Sequence, residues 1–379
     1  MPITNPQLRS LGHIPSLDGI RAIAFLLVFV SHGGLAHLIP GGFGVSVFFF
    51  LSGYLITTLM RIEADRTGTV SLRNFFIRRV LRIFPPFYLL IGSAIILNGI
   101  GLLGGPAERG ALLAQVFQFS NYFLIFNGPT HVIAGTIVLW SLAVEEHFYL
   151  VFPFLYGGLR RHHQKTQVSL LAAACFLILL WRVALIYPLG APSDRISIAS
   201  DTRIDSILFG CLLAVAGNPV LDPEPRWRRH LFPLALMSIG ILLFTFLYRN
   251  DAFRDTFRYT LQGIALFPCF VFAIQSRGLI FSALNWTPLQ FIGRISYTLY
   301  LVHACALDIA DRFFPKSPLL SPCLALIGSF LFALIAHYSI EKPLYRLRTR
   351  LTSRRSSAQE LAPTQPAPTQ PAAAVAYRA

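Results

Sequence analysis

The sequence predicts an all-α membrane protein, a polytopic bundle of about ten transmembrane helices with both termini in the cytoplasm. Three observations carry that expectation. Hydrophobic residues make up 54% of the chain and charged residues only 13%, against about 45–50% and 25% in ordinary soluble domains. The mean hydropathy is +0.59, more apolar surface than a soluble core can hide. Apolar runs recur at the length a bilayer requires, about 20 residues for a helix, and the basic residues that bring the net charge to +15 fall between those runs. Arginines set between apolar runs mark cytoplasmic loops, so the charge points to a membrane and not to nucleic acid.

The runs are read at 19–39, 43–60, 84–104, 137–157, 168–187, 203–217, 231–248, 259–275, 290–312 and 322–340. The stretch 111–126 is also apolar, and charge topology makes it a re-entrant or interfacial segment. Loop 61–83 holds Arg61, Arg66, Arg73, Arg78, Arg79 and Arg82; loop 158–167 holds Arg160, Arg161 and Lys165; loop 218–230 holds Arg226, Arg228 and Arg229. The segment after 341 adds Lys342, Arg346, Arg348, Arg350, Arg354 and Arg355. Ten spans place all four groups on one side, which the positive-inside rule makes the cytoplasm. Loop 249–258 then lies outside, its Arg249, Arg254 and Arg258 partly balanced by Asp251 and Asp255. Residues 1–17 carry one basic residue ahead of a span-length run, so no cleavable signal is expected. Residues 346–379, rich in Ala, Pro, Thr and Gln with a repeated APTQP, are expected to be a disordered cytoplasmic tail after one transmembrane domain at 1–345. Cys175, Cys211, Cys269, Cys305 and Cys323 lack metal or disulfide spacing and read as packing residues.

Polar residues inside apolar runs need a reason, because each costs several kcal/mol in hydrocarbon unless something offsets it. In SLDGIRAIAFLLVFVSHGG, His32 follows Arg21 by eleven residues, about three turns and about 16 Å of rise, which sets both on one face with His32 deep in the membrane. Asp18 joins that face three residues before Arg21. In VLWSLAVEEHFYLVFP, Ser141, Glu145 and Tyr149 share a face at i, i+4 and i+8, so Glu145 is preferred over Glu146 for a pocket. SDTRIDSILFG puts Asp201 and Asp205 on one face with Arg203 between them; a helix cap with a local ion pair explains that pattern as readily as a binding site does. GRISYTLYLVH stacks Ser296, Tyr300 and His303, where His303 is either a site residue or a structural histidine. In NFFIRRVLRIFPPFY, Arg78, Arg79 and Arg82 sit at helical spacing before a span. Their fork-shaped cations suit phosphate oxygens, and equally lipid headgroups. GGFGVS has no Lys and is no phosphate loop.

Taken together, SLDGIRAIAFLLVFVSH, VSVFFFLSGYLITTLM, RRVLRIFPPFY, WSLAVEEHFYLVFP, DTRIDSILFG and IGRISYTLYLVH resemble, in order, the acyltransferase-3 family of integral membrane acyltransferases. The resemblance implies a bacterial cytoplasmic-membrane enzyme that takes an acyl group, most often acetyl, from cytoplasmic acyl-CoA and passes it to a hydroxyl of a surface or exported carbohydrate or glycosylated acceptor, with no metal. Some relatives carry a fused extracytoplasmic hydrolase-like domain; the short tail here leads to the expectation of none.

The implied site has Arg78, Arg79 and Arg82 on the CoA phosphates, with Arg21 steadying the CoA or paired to Asp18. The pantetheine arm carries the thioester toward a neutral His32, a general base or, in the competing version, the residue that takes the acyl group itself. Glu145 would orient the imidazole or bind the acceptor. Asp201, Arg203 and Asp205 would hold sugar hydroxyls at the outer mouth, and Ser141, Tyr149, Tyr300 and His303 would line the way. The rival class is a transporter or flippase, which also needs buried charges and many spans but has no use for a phosphate-gripping Arg cluster beside a deep histidine.

Overall fold

A computed structural model describes residues 14–222, 229–275, 278–315 and 317–347. The expected tail lies, from residue 348, outside the described residues, as do Arg226 and Arg228. Every described element is helical. In chain order they are α1 (Pro15–Val30), continued by a π turn at Ser31–Leu35, α2 (Gly41–Thr67), α3 (Leu72–Gly99), the short α4 (Arg109–Val116) and α5 (Ser120–Asn127), and α6 (Trp140–Leu159). There follow α7 (Gln164–Ile186), α8 (Ser193–Ile198), α9 (Ser200–Ala216), α10 (Leu231–Leu247), α11 (Asp251–Asp255), α12 (Phe257–Gln275), α13 (Leu279–Leu284), α14 (Thr287–Phe313) and α15 (Leu320–Ala336).

Each of the ten apolar runs falls on one of these helices. Seven helical stretches are long and apolar enough to cross a membrane: Ser16–Leu35, Gly41–Thr67, Leu72–Gly99, Thr136–Leu159, Gln164–Ile186, Phe257–Gln275 and Leu320–Leu347. The other three runs lie on α9 and α10, of 17 residues each, and on α14, whose later turns carry Asp308, Asp311 and Arg312. Segment 111–126 does not form one helix. It breaks between α4 and α5 at Gln118, the one non-glycine with positive φ (62°) among the described residues, so neither half reaches span length.

The expected arginine loop 61–83 is also shorter than read. α2 runs on to Thr67 and closes on Gly68 at φ 75°, the left-handed cap that glycine adopts without strain; Ser71 then caps α3 by accepting from the Asn74 amide at 3.3 Å. Arg78, Arg79 and Arg82 are therefore α3 residues with fixed directions. Of the cysteines, 175, 211 and 305 are buried as packing residues should be, while Cys323 is exposed.

Close glycine contacts bring the central helices together. A Cβ on Gly53 of α2 would stand 1.9 Å from the Ile207 carbonyl of α9, and one on Gly210 of α9 would stand 1.9 Å from the Phe50 carbonyl of α2. A Cβ on Gly293 of α14 would stand 1.9 Å from the Asp18 carbonyl of α1. Small residues let backbones approach where lipid offers no hydrophobic drive. Around these seams a core including Phe25, Phe49, Phe87, Phe148 and Leu299 is essentially without solvent contact. At one end of the bundle the Asn285 amide donates to Ser16 at 3.0 Å and Arg160 to the Gly68 carbonyl at 2.7 Å. At the other end Arg249 donates to the His37 carbonyl at 2.7 Å and Arg312 to that of Gly101 at 3.0 Å.

Candidate functional site

Between α1, α2, α3, α6 and α14 lies a cavity, open at its mouth. Its wall is mostly apolar, with polar groups at defined heights, the composition of a small-molecule site. At the end near Ser16 stand Asp18 and Arg21 from α1 and Arg79 and Arg82 from α3; along it stand Ser52, Glu145 and Tyr149; its far end is walled by Val45, Ser141 and Tyr300. The helical spacing of RRVLR aims Arg79 and Arg82 into this space. Neither is bridged to a carboxylate among the described residues. Arg79 lies 5.1 Å from the Tyr149 ring centre and 5.7 Å from that of Phe75, contacts that hold the guanidinium without using up its N–H donors. Arg21 is bonded to Asp18 at 3.1 Å. Arg78 is turned elsewhere: it pairs with Glu63 of α2 at 2.8 Å and does not line the cavity.

Glu145 is fixed through both oxygens. Ser52 donates to Oε1 at 2.9 Å and Tyr149 to Oε2 at 3.1 Å, so the face shared by Ser141, Glu145 and Tyr149 does open on the cavity. Ser52 is a cavity residue that sequence reasoning missed, although SGY inside an apolar run was a polar signal. No bond joins Glu145 to His32. At the far end the Ser141 and Tyr300 hydroxyls lie 2.7 Å apart, and the Phe48 ring packs edge-on to Tyr300 at 5.8 Å.

Beyond Tyr300 stand two histidines. His32 Nδ1 is 2.9 Å from His303 Nε2, and His303 Nδ1 is 2.6 Å from the Tyr300 carbonyl. His303 is fully buried, at 0% exposure, while His32 is exposed at the protein surface. The reason lies in SHGGL, where the helix loosens into the π turn and Gly34 takes φ 106°, ending the span and turning His32 toward α14. π turns of this kind recur at functional sites. Arg21 and His32 accordingly do not share the cavity; Arg21 lines it and His32 does not.

The charged residues of α9 form a separate system. Asp205 is wholly buried and paired with Arg182 of α7 at 2.7 Å, so it does not face an outer mouth. Arg182, also at 0% exposure, donates as well to the Thr256 and Thr202 carbonyls and the Thr260 hydroxyl. Asp201 takes Arg195 at 2.5 Å and the Trp181 indole at 2.8 Å. Arg203 stacks 3.8 Å from the Tyr259 ring centre and donates to the Ser197 carbonyl and the Ser46 hydroxyl, both at 3.1 Å. Asp201 and Asp205 are both ion-paired, but neither to Arg203, and α9, with Ala199 at its N-cap position, lacks the side-chain cap that the sequence alternative supposed. Arg182 was missed, though a lone Arg late in an apolar run was visible in the sequence.

A family model described as an acyltransferase domain matches residues 14–338. An O-acetyltransferase of Staphylococcus aureus, OatA, is 28% identical over 354 residues, covering 89% of this chain and 58% of its own length. A Bacillus subtilis protein, YrhL, named as a candidate peptidoglycan O-acetyltransferase, is 30% identical over 370 residues, covering 90% of this chain and 56% of its own length. The chain thus spans a little over half the length of these curated relatives. No solved structure matches it.

Proposed function

The chain belongs to the acyltransferase-3 family, and on that premise we propose that it is a membrane O-acetyltransferase, moving an acetyl group from cytoplasmic acetyl-CoA to a hydroxyl of a cell-wall type glycan on the other face of the bacterial cytoplasmic membrane. Ten crossings with both termini inside complete the reading: the four basic clusters then share the cytoplasmic side. The observation that carries it is the cavity, which holds Arg79 and Arg82, bridged to no carboxylate among the described residues, at one end and stops, at Tyr300, beside a histidine pair at the other.

In this reading Arg79, Arg82 and Arg21 grip the CoA phosphates, each able to give two parallel charge-assisted hydrogen bonds. The pantetheine arm lies along α2 and α6. Glu145, pinned by Ser52 and Tyr149, has carboxylate lone pairs left over to accept from the pantetheine amides. The thioester then stands at the Ser141–Tyr300 bond, and Tyr300 must turn aside for it to meet His32. A neutral His32 takes the proton from the acceptor hydroxyl as that oxygen bonds to the thioester carbonyl carbon; the C–S bond breaks and its electron pair leaves on the CoA sulfur. Because His32 is exposed, a bulky acceptor can approach it from outside while the donor stays within the bundle. The relative's name supports peptidoglycan as the acceptor class.

The test is transfer of labelled acetyl from acetyl-CoA to muropeptide by the purified protein in lipid. Wild-type transfer is expected, with a loss of about 10²–10⁴-fold in His32→Ala, the usual worth of a general base. Equal rates in both proteins would remove His32 from the reaction, and no transfer or CoA binding by the wild type would remove the activity.

A further inference from the structure

Two hydrogen bonds in series decide the protonation of His32. A carbonyl oxygen can only accept, so the 2.6 Å contact to Tyr300 makes His303 Nδ1 the protonated nitrogen. A neutral imidazole carries one N–H, which leaves His303 Nε2 as an acceptor. Its partner at 2.9 Å, His32 Nδ1, must then be the donor. With one proton of its own, His32 keeps a free lone pair on Nε2. The ring geometry agrees: the two planes lie within 2° and the centroids are 5.2 Å apart, as they are when two coplanar rings meet end to end through one N–H···N bond.

His303 is held rigidly for this task. Phe25 stands edge-on at 6.2 Å and Phe29 at 6.4 Å, and these rings, with the bond to the Tyr300 carbonyl, hold the imidazole in place. No Asp or Glu bonds to either histidine among the described residues. In catalytic triads a carboxylate fixes the base's tautomer; here the acceptor is uncharged and costs less to bury between phenyl rings.

We propose that His303 is the positioning residue of the acetyl transfer, holding His32 as its Nδ1–H tautomer so that His32 Nε2 is the atom that takes the acceptor's proton. The proposal rests on the catalytic reading of His32 given above. As the acceptor O–H breaks, its proton goes to Nε2, the oxygen bonds to the acetyl carbon and the C–S electron pair leaves with CoA. The imidazolium so formed keeps its Nδ1–H on the uncharged His303 Nε2. His303 touches neither donor nor acceptor, and the Tyr300 carbonyl is the fixed end of the series.

The experiment compares full-length wild type, His303→Leu and His303→Gln in lipid nanodiscs, with thermal unfolding followed alongside turnover. The Gln side chain can put an amide oxygen close to the place of Nε2 and accept the same hydrogen bond; Leu cannot. The expected result is a kcat loss of about 10²–10⁴-fold in the Leu variant with the acetyl-CoA KM within about twofold, and recovery of at least about tenfold in the Gln variant. An unchanged kcat in the Leu variant, or equal losses in both, would overturn the role. Should the Leu variant not fold, long-range ¹H–¹⁵N spectra of the wild type decide, His32 being assigned by its absence from His32→Ala. A proton on His32 Nδ1 supports the proposal, and one on Nε2 refutes it. The spectra need no turnover, so a wild type that bound no acetyl-CoA would sink the catalytic reading while the tautomer stayed measurable.

Discussion

Arg79 and Arg82 of α3 and Arg182 of α7 are the same chemical group put to opposite uses. Arg182 sits at 0% exposure with Asp205 at 2.7 Å and three further oxygens accepting from it. Wholly buried and off the cavity wall, it is out of a ligand's reach. Arg79 and Arg82 line a cavity and are bridged to no carboxylate among the described residues. An ion pair closed inside a bundle fixes helices relative to one another, whereas a cation with spare donors on a cavity wall is a receptor for an anion. Counting charges along the chain cannot separate the two, since both appear as Arg near Asp or Arg near Arg. Burial and position on the cavity wall can.

The comparison breaks first, and most visibly, at Asp205. Replacing it with Asn leaves Arg182 buried without its counter-charge, and losing one partner of a buried pair costs about 3–5 kcal/mol. The expected outcome is a large fall in the unfolding temperature of the detergent-solubilised protein, while the fraction that remains folded binds acetyl-CoA normally. The double replacement Arg182→Met with Asp205→Leu should recover most of that stability, because an apolar pair of similar volume removes the orphaned charge. A folded Asp205→Asn protein with weakened donor binding would instead make this pair part of the site.

At the other end, Arg82→Ala or Arg79→Ala should leave the unfolding temperature close to wild type and weaken acetyl-CoA binding by about 10–100-fold, from the loss of charge-assisted hydrogen bonds worth about 1.5–3 kcal/mol. Calorimetric titration reads it directly. Ser52→Ala is a finer probe. It removes the 2.9 Å bond to Glu145 Oε1 and should cost about 1 kcal/mol of donor affinity, about fivefold, with Glu145 left one bond short.

Much of this was legible in the sequence, and the rest failed for identifiable reasons. The ten apolar runs all became helices, because burial and backbone hydrogen bonding act on local stretches. The face shared by Ser141, Glu145 and Tyr149 survived, since helical spacing fixes it. The His32–His303 bond did not show, because its partners lie 271 positions apart and no periodicity links α1 to α14. The exposure of His32 did not show because Gly33 and Gly34 were taken as part of a continuing helix, when their backbone leaves helical geometry. Asp205 was read toward the outside because its partner, Arg182, belongs to another helix.

The smallest expected effect is the most discriminating. Arg78, Arg79 and Arg82 are indistinguishable by spacing, yet Arg78 gives its donors to Glu63 at 2.8 Å, with 30% of its side chain exposed. A pair so placed is worth about 0–1 kcal/mol, so Arg78→Ala should lower stability by no more than that and leave acetyl-CoA affinity within about twofold, against the larger loss at either neighbour. Glu63→Gln supplies the complement. It frees Arg78 without removing it, and affinity should again stay level because the side chain does not line the cavity. Equal losses at positions 78, 79 and 82 would mean that donor binding follows the density of positive charge at the membrane surface and not the aim of two side chains into one cavity, and the distinction between the two kinds of arginine would fail at the end where it matters for function.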